Sequence, residues 1–230
     1  MKNIQFDFRE KVVVITGGEG AIGSALADAF LDAGAIVCTA SRTKNEKHVS
    51  DREFVQMDVS SSDSVQAAID HITEQYKKID ILITAAGIQI RKPALEFEVD
   101  EWDQVIKTNL YGSFFAAQNV AKVMKNNSFG RIIFISSLTS EIGLPNMVPY
   151  VASRGGIKQL AKALAVEWAS KGITVNCVGP GRLKTPMTED IFSNSETLES
   201  ILRIIPQNRA GLPDDIVGAT LFLASVEAEY

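Results

Sequence analysis

Short apolar runs rich in β-branched residues alternate along the chain with longer stretches of helical periodicity. "KVVVIT" (11–16), "AIVCTA" (35–40), "EFVQM" (53–57), "DILITAA" (80–86), "RIIFIS" (131–136) and "ITVNCV" (173–178) read as strands buried on both faces. Helical patterns lie near 21–33, 62–78, 101–125 and 149–171, with a shorter one near 213–225. Parallel strands need crossovers, and helices supply them. The repeated βα order therefore predicts an α/β fold: a single doubly wound Rossmann-type domain over 1–230, with a parallel sheet and helices on both faces. Its ligand crevice would open at the carboxyl ends of the strands.

Two segments break the alternation. "RTKNEKHVSDRE" (42–53) is a charged crossover with at most a stunted helix, and 181–207 lacks a clear strand while being rich in Thr, Pro, Ser and Asn. The second reads either as a lid beside the crevice or as an irregular surface loop. No segment repeats at a fixed period, and none is low in complexity.

Composition narrows the functional classes. With 46% hydrophobic and 22% charged residues the chain is an ordinary globular sequence, and a net charge of −5 without a basic tract argues against nucleic-acid binding. The N-terminus enters a strand pattern without signal-peptide regions, and no apolar stretch reaches the ~18 residues of a membrane span, so a cytoplasmic protein is expected, with no membrane partner. Cys38 and Cys177 lie in strand runs, where buried free thiols are the default. His48 and His71, the two histidines, have no metal-ligand spacing around them. Metal chemistry and a His-activated nucleophile are not expected.

"VVVITGGEGAIG" joins the first strand to the first helix, and Gly18, Gly20 and Gly23 match the G-x-G-x-x-G dinucleotide fingerprint. Glycines there let a pyrophosphate approach helix N-terminal amides. The second strand ends in Ser41 and Arg42 instead of an acidic residue. A hydroxyl and a guanidinium suit a 2′-phosphate, so NADP(H) is preferred and NAD(H) is the alternative. Glu19, in the glycine turn, would oppose that phosphate if it pointed the same way.

These elements, with others in order, make the sequence resemble the short-chain dehydrogenase/reductase family over nearly its whole length. The family's T-G-x-x-x-G-x-G stands as Thr16 to Gly23 with Ala21 at the middle glycine, and its N-N-A-G stands as Thr84 to Gly87 with both asparagines lost. "NLYGSFF" from Asn109, "ISS" ending at Ser137, "YVASR" from Tyr150 and "NCVGPGRLKT" from Asn176 to Thr185 complete the set. The resemblance implies hydride transfer between a nicotinamide and a small carbonyl or alcohol. Tyr150 would be the general acid or base, Ser137 would orient the substrate oxygen, and Asn109 would hold a water in the proton path. Taken alone, Asn109 also reads as a polar residue at a helix kink. Cofactor contacts are implied for Gly17, Glu19, Gly20, Ile22 and Gly23, for Ser41 and Arg42, and for Asp58 and Val59 beside the adenine. They are also implied for Ala85, Ala86 and Gly87, and for Pro180, Gly181, Leu183 and Thr185 beside the nicotinamide.

Arg154 stands where the family has lysine, four residues beyond Tyr150 and on the same helical face. A fixed positive charge near a phenol favours its ionised form, and arginine supplies that charge as well as lysine does. It serves less well as a proton conduit, because a guanidinium keeps its proton. Slower or altered turnover is the expectation.

Within the family, "GIQIRKPALEF" (87–97), "EWD" (101–103) and "IPQNRAGLP" (205–213) are most similar to gluconate 5-dehydrogenases and related sugar-acid or polyol reductases. Arg91 or Lys92 would meet a substrate carboxylate, or else form a solvated basic pair. The sequence ends at "LFLASVEAEY", where the family usually continues through one more strand; its relatives are commonly homotetramers or homodimers. A rival reading is a catalytically impaired nucleotide sensor or scaffold, to which Arg154, Ala21, Thr84 and Ala85 point.

Overall fold

The computed structural model describes residues 6–46, 51–127, 129–193 and 195–229. His48 lies outside them. The six apolar runs form β1 (Val12–Thr16), β2 (Ile36–Ser41), β3 (Glu53–Gln56), β4 (Ile81–Thr84), β5 (Gly130–Ile135) and β6 (Ile173–Val178). They make one parallel sheet in the order β3-β2-β1-β4-β5-β6. The helices are α1 (Ala21–Asp32), α2 (Ser62–Tyr76), α3 (Val99–Ile106), α4 (Gly112–Met124), α5 (Val148–Trp168), α6 (Glu189–Ser193), α7 (Ser195–Arg203) and α8 (Val217–Ala224).

Alternating strand residues feed two cores. Val12 and Val14 pack with Ile69 of α2, Val120 of α4 and Ile157 of α5, while Val13 and Ile15 pack with Leu26 and Phe30 of α1 and Ala224 of α8. Both faces of the sheet are therefore covered, which is why the strand sequences show no polar face. Each fully buried Val, Ile, Leu or Phe side chain contributes roughly 1.5–3 kcal/mol.

The direction of winding reverses between β1 and β4, so their carboxyl ends diverge and leave a crevice. Register levels these ends: Thr16 pairs with Ala40 on β2 and with Thr84 on β4. Gly17 N–H donates to Ala40 O (2.8 Å) and Ala85 N–H to Thr16 O (3.0 Å), which places the glycine turn, Ser41 and the Ala85–Gly87 loop side by side.

Three elements differ from the expectations. The predicted helix over 101–125 is two helices, α3 and α4, around a π turn at Lys107–Tyr111. Asn109 turns inward to a distant backbone, and Ser113 Oγ donates to Asn109 O at 2.6 Å. The segment 181–207 has no strand but is helical in part, with a 3-10 turn at Pro186–Thr188 followed by α6 and α7. The helix near 213–225 begins as a 3-10 turn, Pro213–Ile216, before α8. In the 42–53 crossover the described residues contain no helix, and Arg52 fastens it to α1 through Ser24 Oγ (3.2 Å) and Asp28 (2.9 Å). Among the described residues, β6 pairs only with β5.

Candidate active site

The glycine turn is held by close backbone approaches. A Cβ on Gly23 would lie 2.2 Å from Gly17 O, and one on Gly17, whose φ is +67°, would lie 2.6 Å from Ala86 N. Gly20 caps α1 with backbone alone, so the first amides of that helix carry no side-chain cap. They are the donors a phosphate would use.

A cavity of about 260 Å³ opens beside the turn, and most of the predicted cofactor residues line it. Gly17, Glu19 and Gly20 form one wall, Ser41 and Arg42 a second, and Asp58 and Val59 a third, with Ala86 and Gly87 at the inner end. Thr43, Met57, Ile88 and Thr108 also line it and were not singled out from the sequence. Glu19 bends toward the loop after β2, where its carboxylate accepts from Asn45 N–H at 2.9 Å. Asp58 accepts from both the N–H and the hydroxyl of Ser60 (2.9 and 2.7 Å); the hydroxyl bond, helped by the Arg42 charge, holds its carboxyl below the usual range.

The remaining predicted contacts sit off that wall. Ile22 and Gly23 lie in the first turn of α1, and Ala85 packs toward the sheet core. Leu183 sends its side chain into the core beneath α1 and bridges to Gly211. Thr185 starts the 3-10 turn, its hydroxyl 3.1 Å from that of Thr188. Pro180 O accepts from Leu138 N–H at 2.9 Å, which ties the loop after β6, including Gly181, to the Ser137 turn.

Ser137 ends the β5 segment, 8% exposed, and its Oγ accepts from Thr139 N–H at 3.1 Å. The hydroxyl proton is thereby left to donate elsewhere. The turn it caps, Leu138–Ser140, packs on α5, whose first turn carries Tyr150 behind Pro149. Among the described residues the Tyr150 hydroxyl has no hydrogen-bond partner.

Arg154 is 4% exposed. Its Cζ lies 4.9 Å from the centroid of the Tyr150 ring, and its Nη1 donates to Ile135 O at 2.8 Å. The cation thus stacks on the phenol ring while anchored to the end of β5. A Cβ on Gly87 would lie 2.4 Å from Nη2, so the guanidinium fills the space a side chain there would need. Among the described residues its Nε is buried without a partner.

Asn109 is wholly buried. Its Oδ1 accepts from Ile88 N–H (2.8 Å), and its Nδ2 donates to Ile88 O (3.0 Å) and to Ser153 Oγ (3.1 Å). Ser153 Oγ donates in turn to Tyr150 O at 2.7 Å. The Asn109 side chain therefore clamps the loop after β4 to the helix that carries the phenol. Ser153 was missed in the sequence, although a serine inside the Y-x-x-x-R interval was its signal.

Lys92 is occupied by Glu101, with both oxygens at 2.8 Å. Arg91 instead reaches forward to Asp190 on α6. The thiols are free; burial pushes Cys38 up to about 12 and Cys177 up to about 11, so neither serves as a thiolate nucleophile. Among the described residues no three His, Cys, Asp or Glu side chains gather as a metal site, and no helix is long and apolar enough to cross a membrane.

Comparison with known proteins agrees with this geometry. The family model described as short chain dehydrogenase matches residues 11–196. The chain is 38% identical to the 2-dehydro-3-deoxy-D-gluconate 5-dehydrogenase of Pseudoalteromonas atlantica, over 98% of this chain and 93% of that protein. It is 33% identical to a 3-oxoacyl-acyl-carrier-protein reductase of Salmonella typhimurium, over 97% and 93%. The crystal structure of a gluconate 5-dehydrogenase from Burkholderia cenocepacia, in complex with NADP and tartrate, has a TM-score of 0.92 at 32% identity, covering 98% of this chain and 92% of that one.

Proposed function

The chain belongs to the short-chain dehydrogenase family, and from that premise we propose that it interconverts a secondary alcohol and a ketone on a sugar acid or polyol, with NADP(H) preferred over NAD(H). The observation that carries this reading is the buried Arg154 guanidinium, 4.9 Å from the Tyr150 ring and bonded to the end of β5. It places a fixed charge beside a phenol whose hydroxyl is unengaged. Named relatives that are a dehydrogenase and a reductase favour an enzyme over a scaffold.

A nicotinamide, when bound, supplies or accepts the hydride. Gly17, Gly20 and the uncapped start of α1 would hold the pyrophosphate, and Ser41 with Arg42 would meet a 2′-phosphate. Glu19, engaged by Asn45 N–H, leaves that phosphate less opposed. Ser137 would donate its free hydroxyl proton to the substrate oxygen, and Tyr150 would pass a proton to or from the same oxygen. Arg154 would stabilise the phenolate that results when Tyr150 gives up its proton. Asn109, whose side chain bonds Ile88 and Ser153, would act as a positioning residue for the loop after β4 and for α5, with the second lone pair of Oδ1 open to a water in the proton path.

We also propose that the protein assembles through α3, α4 and α5. Val99, Trp102, Tyr111, Val148 and Val166 expose apolar surface on and between these helices.

The test is oxidation of NADPH and NADH with a panel of keto-sugar acids, neutral ketoses and lipid ketones, together with cofactor dissociation constants. Turnover restricted to lipid carbonyls, or cofactor binding without any turnover, overturns the reading. Tighter NADH than NADPH binding overturns the cofactor preference alone.

A further inference from the structure

The sheet order β4-β5-β6 flanks the Ser137 end of β5 with the continuations of two neighbouring strands, and each continuation carries an arginine. Arg91 follows β4, and its neighbour Lys92 donates its N–H to Asn146 O at 3.1 Å, just ahead of α5 and Tyr150. Arg182 follows β6, two residues beyond the Pro180 carbonyl that accepts from Leu138 N–H next to Ser137. The two arginines thus sit on loops tied by backbone bonds to the Ser137 turn and to the start of α5, near enough to each other that the Arg91 charge acts on Arg182.

Neither cation is fully satisfied. Arg182 is half-buried, and among the described residues its side chain has no hydrogen bond or ion pair. Burial, reinforced by the nearby Arg91 charge, lowers its pKa from the usual guanidinium value. Arg91 keeps a buried Nε without a partner and a long 3.4 Å contact from Nη2 to Gln89 Oε1. Among the described residues its one counterion is Asp190, on the short α6 that follows β6. Like charges brought together in a partly desolvated place are tolerated where an anion joins them, and a planar carboxylate matches the guanidinium fork.

We infer that Arg91 and Arg182 form a two-guanidinium seat for the carboxylate of an acidic substrate, and that Asp190 occupies Arg91 until that carboxylate displaces it. The inference rests on the sugar-acid reading above and adds the residues that select the acid. Arg182 becomes a specificity determinant, and Asp190 an internal competitor that also draws α6 to the mouth of the crevice.

The experiment uses the NADPH-loaded protein with 5-keto-D-gluconate and with L-sorbose, the same carbon chain bearing a hydroxymethyl group in place of the carboxylate. The wild type is expected to favour the acid in kcat/KM. Arg182→Gln lowers that preference by about 10- to 100-fold, through a raised KM for the acid, and Arg182→Lys restores part of it. Asp190→Asn lowers the KM for the acid by a few-fold. Arg203→Gln, which removes the same charge from α7, leaves the preference as it was. Calorimetric titration with tartrate gives the same order without turnover: tightest for Asp190→Asn, weakest for Arg182→Gln. An unchanged preference in a folded Arg182→Gln, or a raised acid KM in Asp190→Asn, overturns the seat while the sugar-acid reading stands. A wild type that shows no preference for the acid overturns that reading and the seat with it.

Discussion

At the scale of residues, Tyr150 and Arg154 carry the chemistry proposed here, and they make the sharpest predictions. Tyr150→Phe removes the only proton the ring can exchange and is expected to lower kcat by about 10²- to 10⁴-fold. Unchanged NADPH affinity in a fluorescence titration would confirm that only the proton step is lost; wild-type turnover would reject the assignment. Arg154→Lys is expected to raise kcat several-fold in steady-state assays, because an ammonium can release its proton and the buried, unpartnered Nε is removed. A fall in kcat would show that the hydrogen bond to Ile135 O matters more than proton release.

At the scale of elements, the glycine turn and the helix break around Asn109 position everything else. Gly23→Ala would set a methyl 2.2 Å from Gly17 O, a backbone atom that cannot swing aside. Thermal denaturation should show a loss of about 1–3 kcal/mol or more, with NADPH binding lost in parallel; a neutral outcome would mean that the turn is looser than described. The strands and this turn were legible in the sequence because strand burial and backbone crowding are local. Of the π turn only the kink that Asn109 suggested was legible; the group its side chain accepts from, Ile88 N–H, lies 21 residues away in sequence. Helical periodicity carries no trace of such a partner. The short helices α6 and α7 were hidden for a different reason: α6 is short and buries no residue, and the helically spaced Leu198, Ile201 and Leu202 of α7 lie among polar residues with only Ile201 buried. Leu183 was read from its motif position, whereas its side chain goes to the core.

At the scale of the whole molecule, the described residues leave conspicuous apolar surface on the α3–α5 side. Val166, 84% exposed near the C-terminal end of α5, is the clearest case. Val166→Glu is expected to shift the protein to a smaller species in light scattering coupled to gel filtration, with a melting temperature that no longer rises with concentration. The same species in wild type and variant would place the interface elsewhere. Turnover need not vanish in the smaller species, because the Asn109, Ser137, Tyr150 and Arg154 side chains all come from one chain.

The contact between Gly87 and Arg154 makes the two positions epistatic. A methyl at 87 must push Nη2 off its place 2.4 Å away and drag the guanidinium from Ile135 O, whereas a shorter lysine at 154 would leave that room free. Gly87→Ala should therefore be harmful in the native background and mild once lysine is in place, a non-additivity that a double-mutant cycle on kcat would read directly. A history or a design campaign that moves between arginine and lysine here is constrained in its order: the lysine must come first, and the bulkier loop second.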